Sequence, residues 1–202
     1  MIKGEVTVVG TIAHNAVEKK SNEGNTFLSF PLELTVKGRD NTSAKLTFNV
    51  SCDGDKNTAS IYTQGRKVEV LGNLNVIKKN GTTYYNIRAD GGIELKKSTD
   101  AESITGTLEF KGKLGSKPIG THTDKHGKLF ETFSGFSMDK FEENREYTWV
   151  RFLNFAPVAN SPVKPESLVE IKGDLQFSCY KETLSIECRV SEVKQMELSN
   201  KQ

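Results

Sequence analysis

Trp149 and Arg151 stand close together in YTWVRFLNF, residues 147–155. Side chains alternate along a strand, so Tyr147, Trp149, Arg151 and Leu153 share one face, and Val150, Phe152 and Asn154 share the other. A core strand normally hides an Arg rather than setting it beside a Trp. A ring and a cation on one strand face suit a flat ligand that carries negative charge, and single-stranded nucleic acid is the commonest such ligand. The same residues also allow a plainer arrangement, in which Trp149 and Phe152 fill two cores and Arg151 extends its stem to water.

Other chemistry is poorly supplied. His122 and His126 are spaced like a metal pair, but no third or fourth ligand follows at a suitable spacing, so no metal site is expected. Ser, Cys and the three His form no credible nucleophile constellation. Neither a phosphate-cradling Gly-rich loop nor a dinucleotide fingerprint follows a strand. The reading is of a non-enzyme without cofactor or small-molecule substrate. Three cysteines, Cys52, Cys179 and Cys188, lie inside strand-like runs, which suits buried, reduced thiols in a cytoplasmic protein. Cys179 and Cys188 flank a turn and could meet across a hairpin. No apolar run approaches the roughly 20 residues needed to span a bilayer, and no signal-peptide core opens the chain.

The elements that must hold Trp149 come in two copies. Residues 2–10, IKGEVTVVG, recur as 104–112, ITGTLEFKG, and VEVLGNL at 68–74 recurs as VEIKGDL at 169–175. Two homologous units, 1–97 and 103–202, are joined through a polar stretch near KKSTDAES. Each must hold its own core. The first reads as strands Glu5–Ile12, Leu28–Val36, Leu46–Val50, Val68–Ile77 and Tyr84–Leu95. A polar turn is expected at Glu18–Asn25, a short helix within Asp53–Gln64, and a hairpin at Lys79-Asn80-Gly81. The second reads as Ile104–Leu114, Leu129–Met138, Tyr147–Phe155, Leu168–Phe177 and Leu184–Val193. A polar loop is expected at Gly115–Lys128, a charged loop at Asp139–Glu146 and a Pro-containing connector at Ala156–Glu166. Five strands with a helix or connector between the third and fourth is the order of an OB-fold barrel. Glycines in the first and fourth strands would permit the bends that a small barrel needs. The fold class is all-β, two tandem OB-fold five-stranded barrels.

Both units resemble the OB domain of bacterial single-stranded DNA-binding proteins. VTVVGTI (Val6–Ile12) is similar to that family's first strand, QGRKVEVLGNL (Gln64–Leu74) to its fourth, and YTWVRFLNF to its aromatic third. The resemblance implies base stacking on Phe141, Trp149, Phe155 and Tyr180. It also implies that the first unit has lost its rings, with Leu46, Cys52 and Lys79 at three of the positions, and serves a structural, dimerising or auxiliary role. Candidate phosphate contacts near the rings are Lys111, Lys113, Lys128, Lys140, Arg145 and Arg151. A tandem chain imitates a dimer of such domains, and a homodimer would offer four barrels. The family's acidic C-terminal tip has no counterpart in MELSNKQ. The expected function is sequence-tolerant binding of single-stranded DNA in replication, recombination or repair. The alternative is a protein-interaction adaptor, or an RNA or primosome accessory. Charge counts against a simple picture: residues 1–100 carry 14 basic and 11 acidic side chains, and the ring-bearing remainder 14 and 15.

Overall fold

The computed structural model describes residues 1–141, 143–157 and 163–196. The first unit forms β1 (Ile2–Ile12), β2 (Val17–Lys20), β3 (Thr26–Lys37), β4 (Ser43–Cys52), α1 (Lys56–Ala59), β5 (Lys67–Lys79) and β6 (Thr82–Leu95). The second forms β7 (Ser103–Leu114), β8 (Gly120–Thr123), β9 (Leu129–Phe141), β10 (Asn144–Asn154), β11 (Leu168–Tyr180) and β12 (Thr183–Gln195). Strict alternation dictates the strands: in β4, Leu46, Phe48, Val50 and Cys52 face inward while their neighbours face solvent. Asp55 caps α1 by accepting the Thr58 amide.

Each unit closes on itself. The first runs β1-β3-β4-β6-β5 and back to β1, and the second β7-β9-β10-β12-β11 and back to β7. In both rings the third-to-fifth contact, β4–β6 or β10–β12, is the parallel one. That is the OB-fold order. Gly72 and Gly173 sit at matching bulges in β5 and β11. A Cβ at either would strike the carbonyl of Arg88 or Arg189 on the neighbouring strand.

The two barrels share a seam. β1 and β7 pair antiparallel from Ile2↔Phe110 to Val9↔Ser103. Gly4 lies against the Thr107 carbonyl and Gly106 against that of Glu5, so the repeat's two matching glycines permit the same close approach from opposite sides. Two hairpin arms then cross between the barrels. The β5–β6 arm reaches the β9–β10 turn, where the Lys78 amide donates to Asp139 Oδ2 at 2.8 Å and the Gly81 amide to Glu146 Oε1 at 2.9 Å. The β11–β12 arm reaches the β3–β4 turn, where the Lys181 amide donates to Asp40 Oδ2 at 3.0 Å. Phe177 packs edge-on against Phe48 and Tyr85 of the first barrel, with ring centroids 6.2 and 5.5 Å apart. The buried apolar residues of both barrels form one cluster.

Several expectations need correcting. Val17–Lys20 is a short edge strand on β3, not part of a turn, and the Gly115–Lys128 loop contains β8. Asp139–Phe141 and Asn144–Glu146 are strand rather than loop, because β9 and β10 stay paired up to Phe141↔Asn144. Their charged residues hid the strands: the inward-parity Asp139 and Glu146 are matched by the other barrel's amides rather than by apolar neighbours. All three cysteines are buried and free. Cys179 faces Leu184 and Cys188 faces Leu175, so the two are not cross-strand partners. Burial pushes the Cys188 thiol up to about 12, which keeps it neutral and unreactive. The C-terminal stretch from residue 197 lies outside the described residues, as does much of the Pro-containing connector.

Candidate nucleic-acid interface

β10 buries Thr148, Val150, Phe152 and Asn154 and turns Tyr147, Trp149 and Arg151 outward. Trp149 is 55% exposed. The plainer arrangement, with Trp149 in a core, does not occur. The antiparallel register sets Phe136 of β9 opposite Trp149 and Met138 opposite Tyr147. The Phe136 ring lies 5.0 Å from Trp149 and 5.3 Å from Tyr147, tilted to the first and edge-on to the second. Such pairs hold each other in fixed orientation. Trp149 therefore sits in a braced patch of three rings, with Met138 exposed at its margin.

Farther along the same outward face lies a second column. His122 of β8 is opposite Phe130 of β9. Ring centroids run from His122 to Phe130 at 5.2 Å and from Phe130 to Phe155 at 5.0 Å, nearly parallel in the latter pair. The Arg189 guanidinium of β12 lies 4.8 Å above Phe155. His122 Nε2 is 2.9 Å from Thr132 Oγ1. Among the described residues, no group of three metal-binding side chains forms around either histidine.

Two grooves flank Trp149 and Arg151. One, about 520 Å3, is walled by Gly115–Pro118 and Thr132–Ser134. The other, about 550 Å3, runs past Tyr147, Ser178, Tyr180 and Glu187 and is walled on its far side by Lys78, Thr83 and Tyr85 of the first barrel. Lys78 Nζ donates to the Tyr147 carbonyl at 3.4 Å. Tyr180 stands at the tip of the β11–β12 arm, 64% exposed, with Lys181 Nζ 5.4 Å from its ring. Arg151 is not a lone cation. Its Nη1 donates to Glu187 Oε1 at 3.3 Å, and Glu187 also accepts from Ser178 Oγ at 2.9 Å.

The expected site residues divide as follows. Trp149, Arg151, Phe155 and Tyr180 come together on one outward face. Phe141 does not join them: it has the inward parity of Asp139, is half-buried, and lies 5.4 Å from Lys79 Nζ of the first barrel. Lys140 and Arg145 pair across β9 and β10 beyond Tyr147, both exposed. Lys113 is opposite Phe136 and bridges to Glu166 at 3.5 Å. Lys111 bridges to Glu170 at 3.3 Å on the strand pair away from the rings. Lys128 is exposed in the β8–β9 turn. Sequence reasoning left out of the site Phe136, Tyr147, Phe130, His122, Arg189 and Glu187. The alternation of Phe130, Thr132, Ser134, Phe136 and Met138 carried a signal for the β9 members, but only the register shows that Phe136 meets Trp149.

The first barrel lacks the counterpart. Matching the parallel pairs Val50↔Ile87 and Phe152↔Cys188 puts Thr47, not Leu46, at the place of Trp149, and Asp53, not Cys52, at that of Phe155. Lys79 does occupy the place of Tyr180. Where the second barrel sets Phe136 edge-on to Tyr147, the first has Glu33 and Lys45 in a 3.0 Å ion pair.

No protein-family profile and no curated protein sequence matches the chain. Solved structures do. Wild-type single-stranded DNA-binding protein from Thermus aquaticus superposes with a TM-score of 0.51 at 12% identity, over 98% of this chain and 95% of that one. A deletion mutant of the Thermus protein gives 0.49 at 13% identity, over 98% of each chain. The small single-stranded DNA-binding protein from Streptomyces coelicolor gives 0.38 at 21% identity, over 48% of this chain and 95% of that one. The wild-type Thermus likeness runs through both barrels and extends to the tandem arrangement.

Proposed function

We propose that this protein binds single-stranded DNA with little sequence preference, through the outward face of the second barrel, in replication, recombination or repair. The observation that carries the reading is the exposed, braced Trp149 between two grooves edged by cations. Unpaired bases stack on the Phe136–Tyr147–Trp149 patch and on Tyr180. The Phe130–Phe155 column extends the path past Arg151. Phosphates are met by Lys113, Lys128, Lys140, Arg145 and Lys78, and by Lys181 and Arg189 beside their rings. Each stacked base contributes roughly 1–3 kcal/mol, and counterion release adds a salt-dependent part. In this reading the face binds and positions the strand.

The first barrel is an auxiliary body in this reading. It walls the groove with Lys78 and braces the β9–β10 turn, while its own face carries an ion pair where rings would be needed. That polar face also keeps alive a second reading, in which it docks polypeptide and the chain acts as an adaptor. The assembly proposed is a homodimer of four barrels; β1 and β7 already pair with each other inside the chain, between β5 and β11, and offer it no free edge. Trp149 is the only Trp, so titration with oligo-dT reads the site directly. Emission is expected to fall to a stoichiometric end-point at low salt and to recover as salt rises. An emission unmoved at low salt would leave the adaptor reading in its place.

A further inference from the structure

We propose that Glu187 and Arg151 read the edge of one base in the groove beside Trp149 and select cytosine over thymine. This rests on the proposed binding of a single strand across that face. Glu187 lies on β12 directly opposite Arg151, and its side chain is 14% exposed. Strand spacing sets its Cα about 8 Å from that of Trp149, a gap that a pyrimidine and its exocyclic group largely fill. Glu187 Oε1 accepts from both Arg151 and Ser178. Its Oε2 has no partner among the described residues, and it is absent from the buried orphan atoms, so it opens to the groove.

A carboxylate on a phosphate-binding surface works against affinity unless it meets a donor. The bases supply donors. Cytosine offers its 4-amino group to Glu187 Oε2, and its N3 and O2 are acceptors within the class that Arg151 can serve. Thymine is nearly the same size and stacks in the same way, but it presents the O4 lone pairs to the carboxylate. The discrimination comes from that repulsion as much as from the new bond. Arg151, held in place by Glu187 and set on the Trp149 face, is oriented toward a base edge rather than free to follow the backbone.

The test compares oligo-dC with oligo-dT of equal length at one salt concentration, above neutral pH, by labelled-strand anisotropy. One well-formed contact of this kind predicts about fivefold tighter binding of oligo-dC. Glu187→Gln, whose amide can donate to O4, is expected to shrink or invert that ratio. A measurement that needs no variant uses an oligomer of 2-pyrimidinone, cytosine without its 4-amino group, which should bind the wild-type protein more weakly than oligo-dC and, having no O4, less weakly than oligo-dT. Equal affinities for oligo-dC and oligo-dT, or a preference that survives Glu187→Gln or removal of the amino group, overturns this assignment and leaves strand binding intact. Failure of both strands to bind overturns the strand-binding reading and this assignment with it.

Discussion

Replacing Trp149 with Ala separates binding from folding because the indole stands largely in water. Its 55% exposure means that less than half of its area is packed in the folded state. The main loss is its contact with Phe136 at 5.0 Å. An aromatic pair of this kind contributes about 0.5–1.5 kcal/mol beyond the area it buries, and the packed part of the indole adds a similar amount, so the unfolding free energy should fall by roughly 2 kcal/mol. The effect on binding is of similar size and is read separately. Loss of one stacked base costs about 1–3 kcal/mol, which is roughly 5- to 150-fold in Kd. No charge is removed, so the slope of log K against log salt should be unchanged. Labelled oligo-dT followed by anisotropy over a salt series measures both quantities, with circular dichroism and urea unfolding as the check on the fold. A variant that is folded and binds with wild-type affinity refutes the stacking argument. A variant whose slope also flattens shows instead that the indole was ordering the neighbouring cations.

Lys78→Ala is the complementary perturbation: the backbone bond to Asp139 is kept and only the ammonium in the groove wall is removed. The salt slope for oligo-dT should fall by about 0.7, the value for one phosphate contact on a single strand, and an unchanged slope would remove the first barrel from the path. The inter-barrel clasp at Asp40 responds to pH. The Thr42 hydroxyl and then the Lys181 amide donate to its carboxylate and hold its pKa below the usual 3.8. A depressed folded-state value stabilises above the unfolded pKa and is lost as pH falls through the folded one. The melting-temperature gap between wild type and Asp40→Ala should therefore be constant from neutral pH to about pH 5 and close below about pH 4, as thermal unfolding across that range will show. A gap that persists in acid would mean that the carboxylate's charge is not what the clasp uses.

Local rules carried much of the architecture. The repeat of Gly4 and Gly10 as Gly106 and Gly112, together with alternation in β3, β4 and β10, was enough for two five-stranded units in OB order. The edge strands β2 and β8 escaped because neither buries an apolar face, and the turn-proximal ends of β9 and β10 escaped because their inward side is polar. In β9 and β10 the turn-proximal residues Asp139 and Glu146 bond to amides of Lys78 and Gly81, 61 and 65 positions away in the chain. No pattern within the segment reveals such a partner. The same hidden contact explains Phe141: its charged neighbours made it look exposed, yet its parity turns it toward Lys79 rather than toward Trp149.

What the sequence determined by itself is which side of a strand each residue takes, because pleating is a property of the backbone and needs no partner. That rule put Tyr147, Trp149 and Arg151 together, and in the structure all three face solvent. Tertiary structure alone decided what those side chains meet. Phe136 reaches Trp149 through the β9–β10 register, Glu187 reaches Arg151 across 36 residues, and Lys78 enters the groove from the other barrel. The register and closure of a barrel come from how all the strands bury their apolar faces together. The composition of the site is local information; its contacts are set by that collective packing.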